Sequence, residues 1–299
     1  DNDGFPDLLL GKSVYHNEQG KRLRDVILST NITLNRDPMG AAVADFDVDG
    51  DLDLYIVYQD SNIKTSSSDG KPKPWIGDDE SGAVNQLWRN NNDGTFTEVA
   101  DQTGTTGGKR KSFAANWLYY DADHYPDLYV ANDFTDPEHL YHNNGDGTFT
   151  DVLEQAMPYT SWSSMGADCA DLNNDGLLDL LVADMAATSH YKSKVTMGDM
   201  GDRRWFLENA WPRQIMRNNL FLNTGTSRFM ETAFLCGLAG TDWTWAIKLA
   251  DLDNDSRVDV FITNGASRMI TDADITVTPQ MLVGKTEWEL WKEQPTMKE

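Results

Sequence analysis

Basic residues are scarce in this chain of 299 residues: 25 lysines and arginines face 48 aspartates and glutamates, for a formal net charge of −23. That balance argues against a nucleic-acid partner, because a phosphate backbone is gripped by positive charge. No apolar run approaches the roughly 18 residues that a bilayer-spanning helix needs. The only two cysteines are Cys169 and Cys236. They could pair in an oxidising compartment, but two small buried thiols are the preferred reading. The five histidines, His16, His124, His139, His142 and His190, are scattered. There is no GxSxG elbow, HExxH helix, phosphate-binding glycine loop or CxxC pair. No catalytic residue is assigned.

The acids are not spread evenly. Five times, an aspartate-rich loop of the form DxDxDGxxD runs straight into a short apolar strand. The fullest copy is Asp45, Asp47, Asp49, Gly50, Asp51 and Asp53; a second has Asp171, Asn173, Asp175, Gly176 and Asp179, and a third has Asp251, Asp253, Asp255, Ser256 and Asp259. A fourth keeps Asp121, Asp123 and Asp127, but Tyr119 stands at its first place and His124 at its glycine. Asp1, Asp3, Gly4 and Asp7 fit the same pattern, so the chain is read as starting inside a loop and as a piece of a longer protein.

Carboxylates at alternating places of a tight turn converge on one point, as a hard cation with six to eight oxygen ligands requires. Calcium is the expected ion, one per loop. The side chains at places one, three, five and nine would supply oxygens, and the seventh residue a backbone carbonyl: Phe5, Asp51, Tyr125, Leu177 and Arg257. An EF-hand opens in the same way but needs a bidentate Glu at place twelve. Ile56, Val182 and Ile262 stand there, so the loops are expected to be strand-loop-strand sites. The bland alternative is that Asp, Asn and Gly simply make turns. It weakens with each copy that keeps the ninth Asp.

A second repeat alternates with the first. Asn85–Asn90 with Asn92–Val99, His139–Asn143 with Gly145–Val152, and Asn219–Asn223 with Gly225–Glu231 each read as two strands about a Gly or Asn turn. A worn copy is Val14–Asn17 with Gly20–Val26. Each unit then holds four antiparallel strands, the mark of a β-propeller blade. The expected fold is all-β, with blades over 1–270, insertions at 59–84 and 185–217, and a non-repeat tail at 271–299 in which Met281–Trp291 could form a short helix.

The alternating motifs resemble the FG-GAP or VCBS repeats of integrin-α-type propellers, and in particular bacterial secreted proteins similar to cartilage acidic protein 1. Asp45–Tyr58 and Leu140–Val152 carry the resemblance most fully, and it covers about residues 1–265. It implies calcium in the loops, a propeller of usually seven blades of which about five are present, and a place at the cell surface or outside the cell. An ASPIC/UnbV segment, which follows the propeller in many such proteins, is not found in this chain. Calcium loops are filled most easily where free calcium is millimolar, which also favours an extracellular or periplasmic location.

The functional expectation is a non-enzymatic module for protein or glycan binding, adhesion or surface assembly. The alternative is a calcium-stabilised enzyme acting on polysaccharide, a lyase or hydrolase. The 185–217 insertion gathers His190, Tyr191, Lys192, Arg203, Arg204 and Trp205, and insertions on rigid scaffolds often carry binding residues. Trp117, Trp162, Trp243 and Trp245 precede the acidic loops; packing between blades is their expected role, and a carbohydrate platform the functional alternative. His139 and His142 are expected on the surface of their hairpin.

Overall fold

The computed structural model describes residues 3–59, 83–133, 137–197, 208–265 and 281–282. The first sheet comprises β1 (Leu8–Leu10), β2 (Ser13–Asn17) and β3 (Leu23–Asp25). The second is formed by β4 (Gly40–Ala44), β5 (Asp53–Val57), β6 (Gln86–Asn90) and β7 (Phe96–Glu98), in that order. After a short helix, α1 (Ala100–Thr103), the pattern repeats with β8 (Ser112–Leu118), β9 (Asp127–Asn132), β10 (His139–Asn143) and β11 (Phe149–Asp151), followed by α2 (Leu153–Ala156). The next elements are β12 (Thr160–Ser161), β13 (Gly166–Ala170), β14 (Asp179–Ala183), β15 (Met185–Ala186), α3 (His190–Met197), β16 (Gln214–Ile215), β17 (Asn219–Asn223) and β18 (Phe229–Glu231). The last are β19 (Asp242–Ala250), β20 (Asp259–Asn264) and β21 (Met281–Leu282).

Strands β13, β14, β17 and β18 form the fourth sheet, and β15 crosses over to join β19, β20 and β21 in the fifth. Every pairing in these sheets is antiparallel, and only the small β12–β16 pair is parallel. The architecture is therefore all-β with few helices. Met281 and Leu282 pair with Thr263 and Ile262, so at these two residues the expected helix is replaced by an edge strand. The rest of that helix, like most of the 59–84 insertion, lies outside the described residues.

The second strand of each sheet explains why the sheets stack. β5, β9 and β14 are buried along their whole length, and alternate side chains of a strand face opposite ways. Leu54 and Ile56 enter one core with Leu9 and Val14 of the first sheet, whereas Tyr55 and Val57 meet Leu128 and Val130 in the next. Tyr129 and Ala131 then face Leu180 and Val182, and Leu181 and Ala183 face Ile247 and Ile262. Each sheet thus lies between its neighbours in chain order, which accounts for strands that are apolar on both faces.

The first strands approach one another most closely. β4 lies against β8, β8 against β13, and β13 against β19. A Cβ on Gly40 would come 2.9 Å from the Phe113 carbonyl, and one on Gly166 would come 2.9 Å from the Trp245 carbonyl. Their sheet positions correspond: Gly40 pairs with Val57, and Gly166 with Ala183. Backbone contact between sheets therefore requires glycine at these two points.

Of the tryptophans before the acidic loops, Trp162 and Trp117 pack. Trp162 is fully buried, and Trp117 stacks on Phe46 with ring centroids 6.4 Å apart. Trp245 is partly exposed and meets Phe113 edge-on. The two cysteines differ from expectation. Cys169 is half-buried in β13, and burial pushes its thiol up to about 12. Cys236 is exposed because it lies in the turn after β18 rather than in a core.

Candidate metal centres

The ninth Asp of every loop after the N-terminal one opens the strand that follows its loop, paired with the strand before it. Asp53 pairs with Ala44, Asp127 with Leu118, Asp179 with Ala170, and Asp259 with Ala250, so each loop connects the two ends of a fixed register. One carboxylate oxygen of that Asp accepts the N–H of the loop's second residue. The donors are Phe46 to Asp53 (3.0 Å), Tyr120 to Asp127 (2.8 Å), Leu172 to Asp179 (3.0 Å) and Leu252 to Asp259 (2.9 Å).

The other oxygen is taken by the hairpin. Asn90 N–H donates to Asp53 Oδ1 at 2.8 Å, Asn143 to Asp127 and Asn223 to Asp179 each at 2.9 Å, and Asn17 to Asp7 at 2.7 Å. The asparagine side chains reach further. Asn143 donates from Nδ2 to the Phe46 carbonyl of the preceding sheet's loop at 2.8 Å, and Asn223 does the same to Tyr119 at 3.1 Å. The ninth Asp and the hairpin Asn therefore lock a loop to its own sheet, and Asn143 and Asn223 also reach the loop of the preceding sheet, whereas Asn90 and Asn17 bond to their own loops. Sequence reasoning placed these asparagines at the ends of the hairpins' first strands and missed that role.

The first Asp shapes the loop from the other side. Asp45 accepts the N–H groups of Asp49 (3.0 Å) and Gly50 (2.9 Å); Asp171 accepts those of Asp175 and Gly176; Asp251 accepts those of Asp255 and Ser256. The fifth Asp caps the residue two places on: Asp51, Leu177 or Arg257. The fold requires a left-handed backbone at the sixth place, where Gly50 (φ 97°) and Gly176 (φ 89°) adopt it freely and Ser256 (φ 67°) and His124 (φ 73°) adopt it under strain.

Among the described residues, ligand atoms of Asp45, Asp47 and Asp53 lie within 4.8 Å of one another, as do those of Asp251, Asp253 and Asp255. Asp171, Asn173, Asp175 and Asp179 share the same loop hydrogen bonds. Asp49 and Asp259 each accept a backbone N–H as well. Asp3 accepts the Phe5 N–H, and Asp1 lies outside the described residues.

These carboxylates are poorly served by protein alone. Burial pushes the Asp53 carboxyl up to about 7, against the hydrogen bonds from Asn90 and Phe46. Burial, followed by the charges of Asp49 and Asp45, also raises Asp47, whose Oδ1 is buried with no hydrogen-bond partner. Buried negative charge with an unpartnered oxygen is what a cation offsets. The residues present fit a hard divalent ion.

The fourth loop differs. Its short-range donor group is Asp121, Asp127 and His142. His142 was expected on the surface, yet its Nδ1 lies 3.0 Å from Asp127 Oδ1 and 3.6 Å from Asp121 Oδ2. His139 is buried, stacks on Tyr141 and contacts Asp151 Oδ2 at 2.6 Å. Asp123 caps the Tyr125 N–H.

Among the described residues of the insertion, the candidate side chains are not brought together. His190 and Tyr191 open α3 and are exposed, while Lys192 pairs with Asp242 at 2.9 Å. Arg203, Arg204 and Trp205 lie outside the described residues. A second acidic group was not foreseen. Glu138 and Asp184 are buried, with Asp184 Oδ2 accepting from Ser161 Oγ (2.7 Å) and Trp162 N (2.8 Å), and Glu138 Oε1 accepting from Ser161 N (3.1 Å).

The family model for FG-GAP-like repeats matches residues 1–56 and 119–182. Each match runs from one acidic loop through the next loop to its second strand, so these stretches carry FG-GAP-like repeats. No curated protein matches the chain.

Proposed function

We propose that the chain is a calcium-binding binding module whose FG-GAP-like repeats form blades of a β-propeller. Sheets stacked in chain order, with first strands adjacent, support the radial arrangement. The observation that carries the calcium reading is the convergence of Asp45, Asp47 and Asp53, two of them with carboxyls raised by burial. Asp171, Asn173, Asp175 and Asp179, and Asp251, Asp253, Asp255 and Asp259, would hold further ions. Asp51, Leu177 and Arg257 would contribute backbone carbonyls.

Calcium would neutralise each loop and fix it against the hairpin Asn of its sheet. Its role is then structural, presenting a rigid face to a protein or glycan partner outside the cell, at its surface or in a periplasm. Among the described residues of the 185–217 insertion, Lys192 is held by Asp242, so the binding-module reading is preferred to an enzyme acting on polysaccharide. The test is stoichiometry: after dialysis against calcium, elemental analysis should find at least three ions per chain. Protein without bound calcium would sink the proposal.

A further inference from the structure

The fourth loop lacks a carboxylate at its first place, where Tyr119 stands, and a donor of a different chemical kind reaches the same loop from the hairpin. His142 immediately precedes the clamp residue Asn143. His16, Arg89 and Leu222 hold the matching positions before Asn17, Asn90 and Asn223. Arg89 and Leu222 are not metal ligands: Arg89 acts on Asp47 as a positive charge, and Leu222 packs against a hydrophobic core. His16 Nδ1 lies 3.2 Å from Asp7 Oδ1, but among the described residues only the fourth loop brings an imidazole together with two carboxylates.

We infer that Asp121, Asp127 and His142 form a site for a late first-row transition ion such as zinc, distinct in selectivity from the calcium loops. This rests on reading the loops as metal sites and assigns this one a different ion. Calcium takes oxygen donors, whereas imidazole suits zinc, nickel and copper. The distances agree. Zinc bonds of 2.0–2.1 Å in a tetrahedron separate neighbouring donors by about 3.3 Å, and His142 Nδ1 stands 3.0 and 3.6 Å from the two carboxylates, the shorter contact being a His142–Asp127 hydrogen bond that an ion would replace.

The surroundings hold the donors in place while leaving a way in. Asp127 is fully buried and is fixed by the N–H groups of Tyr120 and Asn143. The Tyr120 ring meets the imidazole edge-on at 5.6 Å. The side chains of His142 and Asp121 are each 24% exposed, which leaves room for water as a further ligand.

The experiment is equilibrium dialysis of the full chain against micromolar zinc in saturating calcium, with both metals counted. Wild type should bind one zinc that His142→Leu, which installs the residue found in the fourth sheet, weakens at least tenfold. Asp121→Asn, at a partly exposed position, should do the same and guards against a folding defect in the first variant. Cobalt(II) in place of zinc should give an intense visible spectrum that disappears in both variants. Zinc bound equally by wild type and variants, no zinc in wild type, or full displacement by calcium would each overturn the inference. The calcium count is independent: its absence would refute the calcium reading while leaving a His142-dependent zinc intact.

Discussion

Removing calcium should lower the melting temperature by an amount that the loops set. Three loops keep the complete ligand pattern. At about 1 mM free calcium and a dissociation constant on the order of 10⁻⁴ M, typical of extracellular modules, mass action stabilises the folded state by roughly 1.4 kcal/mol per loop. Three loops contribute about 4 kcal/mol by the same relation. An unfolding entropy near 2.1 cal/mol/K per residue corresponds to roughly 0.6 kcal/mol/K for a chain of this length, so chelation should lower the melting temperature by about 6–7 °C. Calorimetry with and without chelator measures the increment directly.

Single-loop variants sharpen the test. Asp45, Asp171 and Asp251 each also accept two backbone N–H bonds, so Asp→Asn at any of them destabilises the metal-free protein as well. The diagnostic quantity is therefore the difference between melts with and without calcium. Each substitution should remove about one third of it, roughly 2 °C. A triple variant that retained the full increment would place calcium elsewhere, and a wild-type protein with no increment would refute the reasoning.

Ser256→Gly, at a left-handed position, should stabilise by about 0.5 kcal/mol, the relieved strain less the added freedom of the unfolded chain; an unchanged or lower melt would contradict this. Gly166→Ala should destabilise by about 1–3 kcal/mol, because its Cβ would meet backbone of the next sheet at 2.9 Å, and a neutral result would mean that the first strands do not touch. Burial raises the Glu138 carboxyl from 4.5 to about 7, so its contribution is complete below pH 4.5 and is lost as pH rises through 7. In calcium-saturated protein, Glu138→Gln should flatten that loss by up to about 3 kcal/mol across urea titrations between roughly pH 5 and 8, whereas parallel pH profiles would exclude Glu138 as its source.

What the sequence made legible was local. The eight-residue step from the first to the ninth loop position gave the strand-loop-strand unit, and Gly or Asn turns gave the hairpins. Both are present at the expected residues in the second, third and fourth sheets. The contacts between those units were hidden. The same bond from hairpin Asn to ninth Asp spans 37 residues at Asn90–Asp53, 16 at Asn143–Asp127 and 44 at Asn223–Asp179. Insertions change the separation while the sheet register preserves the geometry, so no periodicity reports it. The same holds for Ser161, which joins Glu138 to Asp184 across 23 residues on either side. Because the hairpin completes the site, loops with similar acidic patterns can differ in chemistry. His16, Arg89, His142 and Leu222 occupy one structural position and offer imidazole, a fixed charge or a hydrocarbon. On the proposed zinc reading, the acidic motif marks where an ion would sit and the residue before the hairpin Asn tunes which ion the site would take.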